Sequence, residues 1–137
     1  MPADYDGDGK TDIAIYRVNL GVWSIKRSSD SGNTIDEFIG FGFPQDIPVA
    51  ADYDGNGKAD IALYRDGTWV IRLSSTNSII TTTAGGQQGE PVPADYDGDG
   101  KADVAIYQNG VWTIKRSSDG AIIVVGWGGA AEDIPVN

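Results

Sequence analysis

One segment occurs three times in this chain and constrains the fold more than any other feature. It reads PADYDGDGKTDIAIYR at 2–17, AADYDGNGKADIALYR at 50–65 and PADYDGDGKADVAIYQ at 93–108. The first aspartate of each copy falls at 4, 52 and 95, in steps of 48 and 43 residues. The likeness runs on through GVWSIKRSSDSG (21–32), GTWVIRLSSTNS (67–78) and GVWTIKRSSDG (110–120). A third apolar run follows in each copy, as TIDEFIGFG, IITTTAGG and AIIVVGWGG. Each unit then closes on a proline-bearing approach, DIPVA, EPVPA or DIPVN. A period of this size marks small units that bury their faces on one another rather than alone. The chain is therefore read as one repeat domain over 1–137, with units at about 1–48, 49–92 and 93–137 and no linker.

Within each unit the hydrophobic period is 2, the period of strands. In Asp12-Ile13-Ala14-Ile15-Tyr16-Arg17 the isoleucines share one face, and Ala14 and Tyr16 the other. In Val22-Trp23-Ser24-Ile25-Lys26, Trp23 and Ile25 lie opposite Ser24 and Lys26. No segment sustains the 3.6 period of an amphipathic helix. About four short strands in 43–48 residues is the size of one propeller blade. The expected fold is all-β: three four-stranded antiparallel blades per chain.

The net charge of −10 is local. Eleven of the 20 acids lie in the three repeated loops, leaving nine against ten Lys and Arg elsewhere. No basic footprint for nucleic acid is present, and Arg17, Arg27, Arg65 and Arg116 read as solvated or ion-paired. Cysteine and histidine are absent, which removes disulfides, thiolate metal sites and imidazole-based catalysis. No run approaches the roughly 20 apolar residues of a membrane helix, and no leader pattern precedes the first loop. If the parent protein is secreted, this chain is expected to be a mature or excised piece of it.

The loops carry the chemistry. Counting from Asp4 as position 1, Asp4, Asp6, Asp8 and Asp12 fall at positions 1, 3, 5 and 9, with Gly9 at position 6 and the Lys10 carbonyl at position 7. Alternate oxygens on a tightly turned loop suit a hard cation such as Ca²⁺, which takes six to eight oxygens at about 2.3–2.6 Å. Glycine at position 6 permits the sharp turn. The second copy offers Asp52, Asp54, Asn56, the Lys58 carbonyl and Asp60; the third offers Asp95, Asp97, Asp99, the Lys101 carbonyl and Asp103. Three calcium ions per chain are expected, with the Asn56 loop weaker for its missing charge. An EF-hand opens similarly but needs a bidentate Glu at position 12; Ile15, Leu63 and Ile106 stand there, inside strand-period runs. Mg²⁺ fits less well because it retains its waters. Plain Asp/Gly turns without metal would leave several carboxylates repelling one another in each loop.

The motif D-Y-D-G-[DN]-G-K-[TA]-D-[IV]-A-[IL]-Y, followed by G-x-W-x-I and an F-G-like step, resembles the FG-GAP/VCBS repeats. The likeness covers nearly the whole chain, although the F-G step is clear only at Phe41-Gly42, with Ala84-Gly85 and Trp127-Gly128 in the other copies. Those repeats build the bladed propeller of integrin α-subunits and of many secreted bacterial proteins. The resemblance implies calcium in the hairpin loop between a blade's first and second strands, rigidifying the blade rather than serving catalysis. It also implies an extracellular or cell-surface setting.

Trp23, Trp69 and Trp112 recur at one repeat position and read as packing between blades; Trp127 is open to either a core or a surface role. Propellers usually close with about four to eight blades, so three blades leave open faces. Ile134–Val136 of one chain is expected to complete the first strand of another, giving a six-bladed homodimer. The leading function is a calcium-stabilised, non-catalytic module for adhesion or scaffolding, with a protein or glycan ligand. The alternatives are a lectin-type propeller and, further off, part of a calcium-dependent polysaccharide lyase.

Overall fold

The computed structural model describes residues 2–31, 33–38, 40–86 and 88–136. Ile39 of the run TIDEFIGFG and Gly32 of GVWSIKRSSDSG lie outside the described residues, as do Met1, Gln87 and Asn137. Among the described residues all regular structure is β. The strands are β1 (Ile13–Arg17), β2 (Val22–Lys26), β3 (Ile35–Phe38), β4 (Ile47–Pro48), β5 (Ile61–Arg65) and β6 (Thr68–Arg72). They continue as β7 (Ile79–Thr83), β8 (Glu90–Pro91), β9 (Val104–Gln108), β10 (Val111–Lys115) and β11 (Ile122–Gly126).

They form three antiparallel sheets, ordered β1-β2-β3, β4-β5-β6-β7 and β8-β9-β10-β11. The proline-bearing segment that closes each sequence repeat pairs forward: Ile47 opposes Tyr64 and Pro48 opposes Leu63, as Glu90 and Pro91 oppose Tyr107 and Ile106. The expectation of four strands per unit holds for the second and third sheets. The first has three among the described residues, because nothing there stands beside β1 as β4 stands beside β5. Two hairpins turn in two residues, through Asp66-Gly67 and Asn109-Gly110, all four at positive φ between 47° and 87°. That is the backbone of the type I′ turn, whose twist matches that of the flanking strands.

Packing explains why the apolar residues of β5 alternate in size rather than in polarity. Ile61 and Leu63 point back to Ala14, Trp23, Ile25 and Phe41 of the first unit. Ala62 and Tyr64, on the opposite face, join Trp69 and Ile71 against Val104 and Ile106 of the third. The middle sheet is thus covered on both faces, and the same sequence pattern meets different surroundings in the outer sheets. Ile13 is 66% exposed where its counterpart Ile61 is 4% exposed, and Ile15 is 49% exposed where Leu63 is 2%. On the far side, the residues of β11 are exposed throughout. Trp23 and Trp69 are fully buried, each in ring contact with the tyrosine across the ladder, Tyr16 (tilted) or Tyr64 (edge-on). Trp112 keeps that ring contact, with Tyr107, but is only half-buried, since among the described residues no further sheet packs beyond its own. Trp127 is exposed.

Candidate metal centres

The second and third aspartate-rich loops connect β4 to β5 and β8 to β9, and the first leads into β1; each is pinched shut at its base by a β-bridge, Ala3 to Asp12, Ala51 to Asp60 and Ala94 to Asp103. Inside the loop the first aspartate holds the turn. Both Asp4 carboxylate oxygens accept backbone N–H groups, from Gly7 at 2.6 Å and Gly9 at 2.8 Å. Asp52 and Asp95 repeat this with Gly55 and Gly57, and with Gly98 and Gly100. The position-6 glycines 9, 57 and 100 take φ of 83°, 86° and 89°, where a side chain would be strained. The residue at position 5 accepts the N–H of the following lysine at 2.8 Å in all three loops: Asp8 from Lys10, Asn56 from Lys58 and Asp99 from Lys101.

The aspartates at position 9 serve the fold as well as the site. Asp12, Asp60 and Asp103 are buried. One oxygen of each takes the N–H of a residue early in its own loop, Tyr5, Tyr53 or Tyr96, at 2.8–2.9 Å. The other takes the N–H of Ser28, Ser74 or Ser117, beyond the second strand, at 2.6–2.7 Å. Each carboxylate therefore clamps the loop to the next hairpin. Burial pushes the Asp60 carboxyl above the usual carboxylate range despite these N–H groups. Asp12 is also pushed up by burial, but the N–H groups of Ser28, Tyr5 and Asp6 outweigh it and hold the carboxyl low. The difference matches position: Asp60 belongs to the sheet enclosed on both sides.

Carboxylate oxygens from Asp4, Asp6 and Asp8 converge within 4.8 Å of one another, as do those from Asp95, Asp97 and Asp99 and those from Asp52, Asp54 and Asp60. Two ligands of one calcium ion, each about 2.4 Å from it, stand at most about 4.8 Å apart, so the clusters fit a shared cation. Asp12 and Asp103 fall outside their clusters, and Asn56 replaces a carboxylate in the second. At the position-7 lysines it is the N–H groups that are engaged, by the preceding position-5 side chains.

The residues that sequence reasoning missed are serines. The pair that follows the second strand of each unit, Ser28-Ser29, Ser74-Ser75 or Ser117-Ser118, folds over the loop. Ser29, Ser75 and Ser118 donate to Asp6, Asp54 and Asp97 at 2.5–2.6 Å. Ser28 and Ser117 donate to Asp8 and Asp99 at 3.0–3.1 Å, while Ser74 accepts from the Asn56 amide at 2.8 Å. Their signal was the recurrence of Ser-Ser in all three copies. The loops are also stitched from sheet to sheet: Ala59 N–H donates to the Asp4 carbonyl at 2.6 Å and Ala102 N–H to the Asp52 carbonyl at 2.7 Å.

Residues 52–106, which carry two of the three loops and the sheet between them, match the FG-GAP-like repeat family. That stretch thus carries an FG-GAP-like repeat, and the units on either side of it are all-β as well. No curated protein and no solved structure was found to match it.

Proposed function

We propose that this chain is a propeller-type module in which each aspartate loop binds one Ca²⁺ and uses it to brace the unit that carries it. The observation that carries this reading is the convergence of three carboxylates, three times, at the same place in successive units. Like charges held so close repel unless a cation offsets them. Asp4, Asp6, Asp8 and Asp12, Asp52, Asp54, Asn56 and Asp60, and Asp95, Asp97, Asp99 and Asp103 would supply side-chain oxygens, with the carbonyls of Lys10, Lys58 and Lys101. The ion would neutralise the loop, while the serine pairs fix the carboxylates' orientation as outer-shell partners do.

The role is structural and binding rather than catalytic. The acids are committed to the loops, and the near-identical units leave no unique acid and base facing one another. Trp23 and Trp69 are buried, so sugar stacking finds no surface on them, and adhesion or scaffolding at the cell surface is the reading retained. Calorimetric titration of metal-stripped chain with CaCl₂ tests it. Three ions per chain are expected, with Mg²⁺ binding more weakly; no heat and no saturable uptake of calcium would overturn the reading.

A further inference from the structure

We propose that two copies of this chain close head to tail, residues 133–136 of each forming the strand that β1 of the other lacks. The proposal goes beyond the calcium reading and stands without it. Relations that repeat between successive units inside the chain stop at the two outer sheets, and they stop in complementary halves.

The first relation is a strand. Asp133-Ile134-Pro135-Val136 repeats Asp46-Ile47-Pro48-Val49 residue for residue. The earlier copy supplies β4 beside β5, whereas Ile134 and Val136 are exposed and no strand flanks β1 among the described residues. In the β4 register, Ile134 would oppose Tyr16 and Pro135 would oppose Ile15 of a second copy.

The second is an ion pair. Asp46 is buried and bonded to the Arg65 guanidinium through both carboxylate oxygens, one at 2.6 Å. At the next junction the corresponding residues are Gly89 and Gln108, neutral together. Asp133 and Arg17 restore both charges at the outer positions. Asp133 is already held in place by the N–H groups of Gly129 and Ala130 at 2.8 and 2.9 Å, as Asp46 is by that of Phe43 at 2.8 Å. Arg17 contacts Ser24 and lies 3.8 Å from Glu37 on a solvent-facing surface, a pairing weak enough to be exchanged.

The third is apolar. Tyr96, Trp112, Ile114, Val125 and Trp127 line an open hollow of about 270 Å³ on the outer face of the third sheet. Their counterparts in the first unit are Tyr5, Trp23, Ile25, Phe38 and Phe41, which pack around Ile61 and Leu63. The side chains that fit the hollow by the same logic are Ile13 and Ile15, the exposed isoleucines of β1. The loops agree. A Cβ on Gly7 would meet the Lys58 side chain at 2.9 Å and one on Gly55 the Lys101 side chain at 3.0 Å, but Gly98 has open space, where Lys10 of a second copy would fall by the same relation.

A second copy is the occupant because it presents every missing half at once. Two such chains joined through two equivalent junctions would bring six units together, within the roughly four to eight blades of a closed propeller.

Sedimentation equilibrium of the full chain in calcium and 0.15 M NaCl should give about twice the 14.5 kDa chain mass. Arg17→Asp or Asp133→Arg alone should weaken association by about 30-fold or more with the far-ultraviolet spectrum retained. Mixing the two variants should restore the pair, since each then supplies the charge the other lacks at both junctions. A wild-type chain of 14.5 kDa at high micromolar concentration overturns the proposal. So does a dimer indifferent to both reversals, or a mixture that stays monomeric. Should a reversed chain fail to fold, a chain carrying Tyr16→Cys and Ile134→Cys provides the second reading. Oxidation should link it into pairs, and a product that stays single-chain overturns the proposal equally.

Discussion

Replacing Trp69 by alanine is expected to cost about 3–5 kcal/mol, the range for emptying a buried aromatic site. Single domains carry only about 5–15 kcal/mol in all, so the variant should be largely unfolded at moderate urea. Trp69 is fully buried in the cluster that joins the second and third units, with its ring 4.6 Å from that of Tyr64 in an edge-on contact. Its neighbours are strand residues fixed by ladder hydrogen bonds, so the cavity cannot collapse without breaking pairing. Ile79→Ala is the control. That side chain is also a large hydrophobe and also on a strand of the middle sheet, but it faces solvent, and its loss should stay within about 0.5 kcal/mol. Urea midpoints at constant m-value report both. Equal effects would mean that the units are not packed through the Trp69 cluster.

The second large effect separates two kinds of aspartate in one loop. Asp60→Ala removes a buried acceptor from the N–H groups of Tyr53 and Ser74, each then left to bear an unmet desolvation cost of about 1–3 kcal/mol. The variant should therefore lose about 2–5 kcal/mol even in chelator, and more in calcium, where a ligand is lost as well. Asp54→Ala removes a more accessible carboxylate whose protein partners are Ser75, at 2.5 Å, and the Asn56 backbone and amide, at 3.2–3.4 Å. Its cost should be large in calcium and close to nil in chelator. Denaturant unfolding of both variants in both conditions reads the difference directly. If Asp60→Ala, like Asp54→Ala, costs close to nothing in chelator, Asp60 is only a ligand and not a clamp as well.

Much of this organisation was legible in the sequence. The triplicated loop announced a repeated unit and the period-2 runs announced strands; of the oxygen-bearing positions 1, 3, 5 and 9, the first two gather in all three loops, position 5 in the first and third, and position 9 in the second. The turn signals Asp66-Gly67 and Asn109-Gly110 are local, and the chain obeys them locally.

What the sequence hid depends on neighbours. Ile13 and Ile61 occupy the same position in the same motif, yet only Ile61 has a sheet in front of it. Asp46 and Arg65 are 19 residues apart and carry no local pattern, so their pairing emerges only once β4 is seen to join β5 rather than β3. The serines likewise look like ordinary turn residues until the third strand's approach brings their hydroxyls over the loop. Asp12, Asp60 and Asp103 were read as ligands alone, because spacing shows where an oxygen can reach but not how many backbone N–H groups already claim it.

The central claim is that the aspartate loops bind calcium and that the folded chain depends on it. A thermal melt of the intact chain in saturating calcium and again in excess chelator tests this most directly. At a hundredfold excess over the dissociation constant, each site adds about 2.7 kcal/mol and three add roughly 8 kcal/mol. That should raise the midpoint by more than about 10 °C for a chain of this size. An identical midpoint in calcium and chelator would contradict the account.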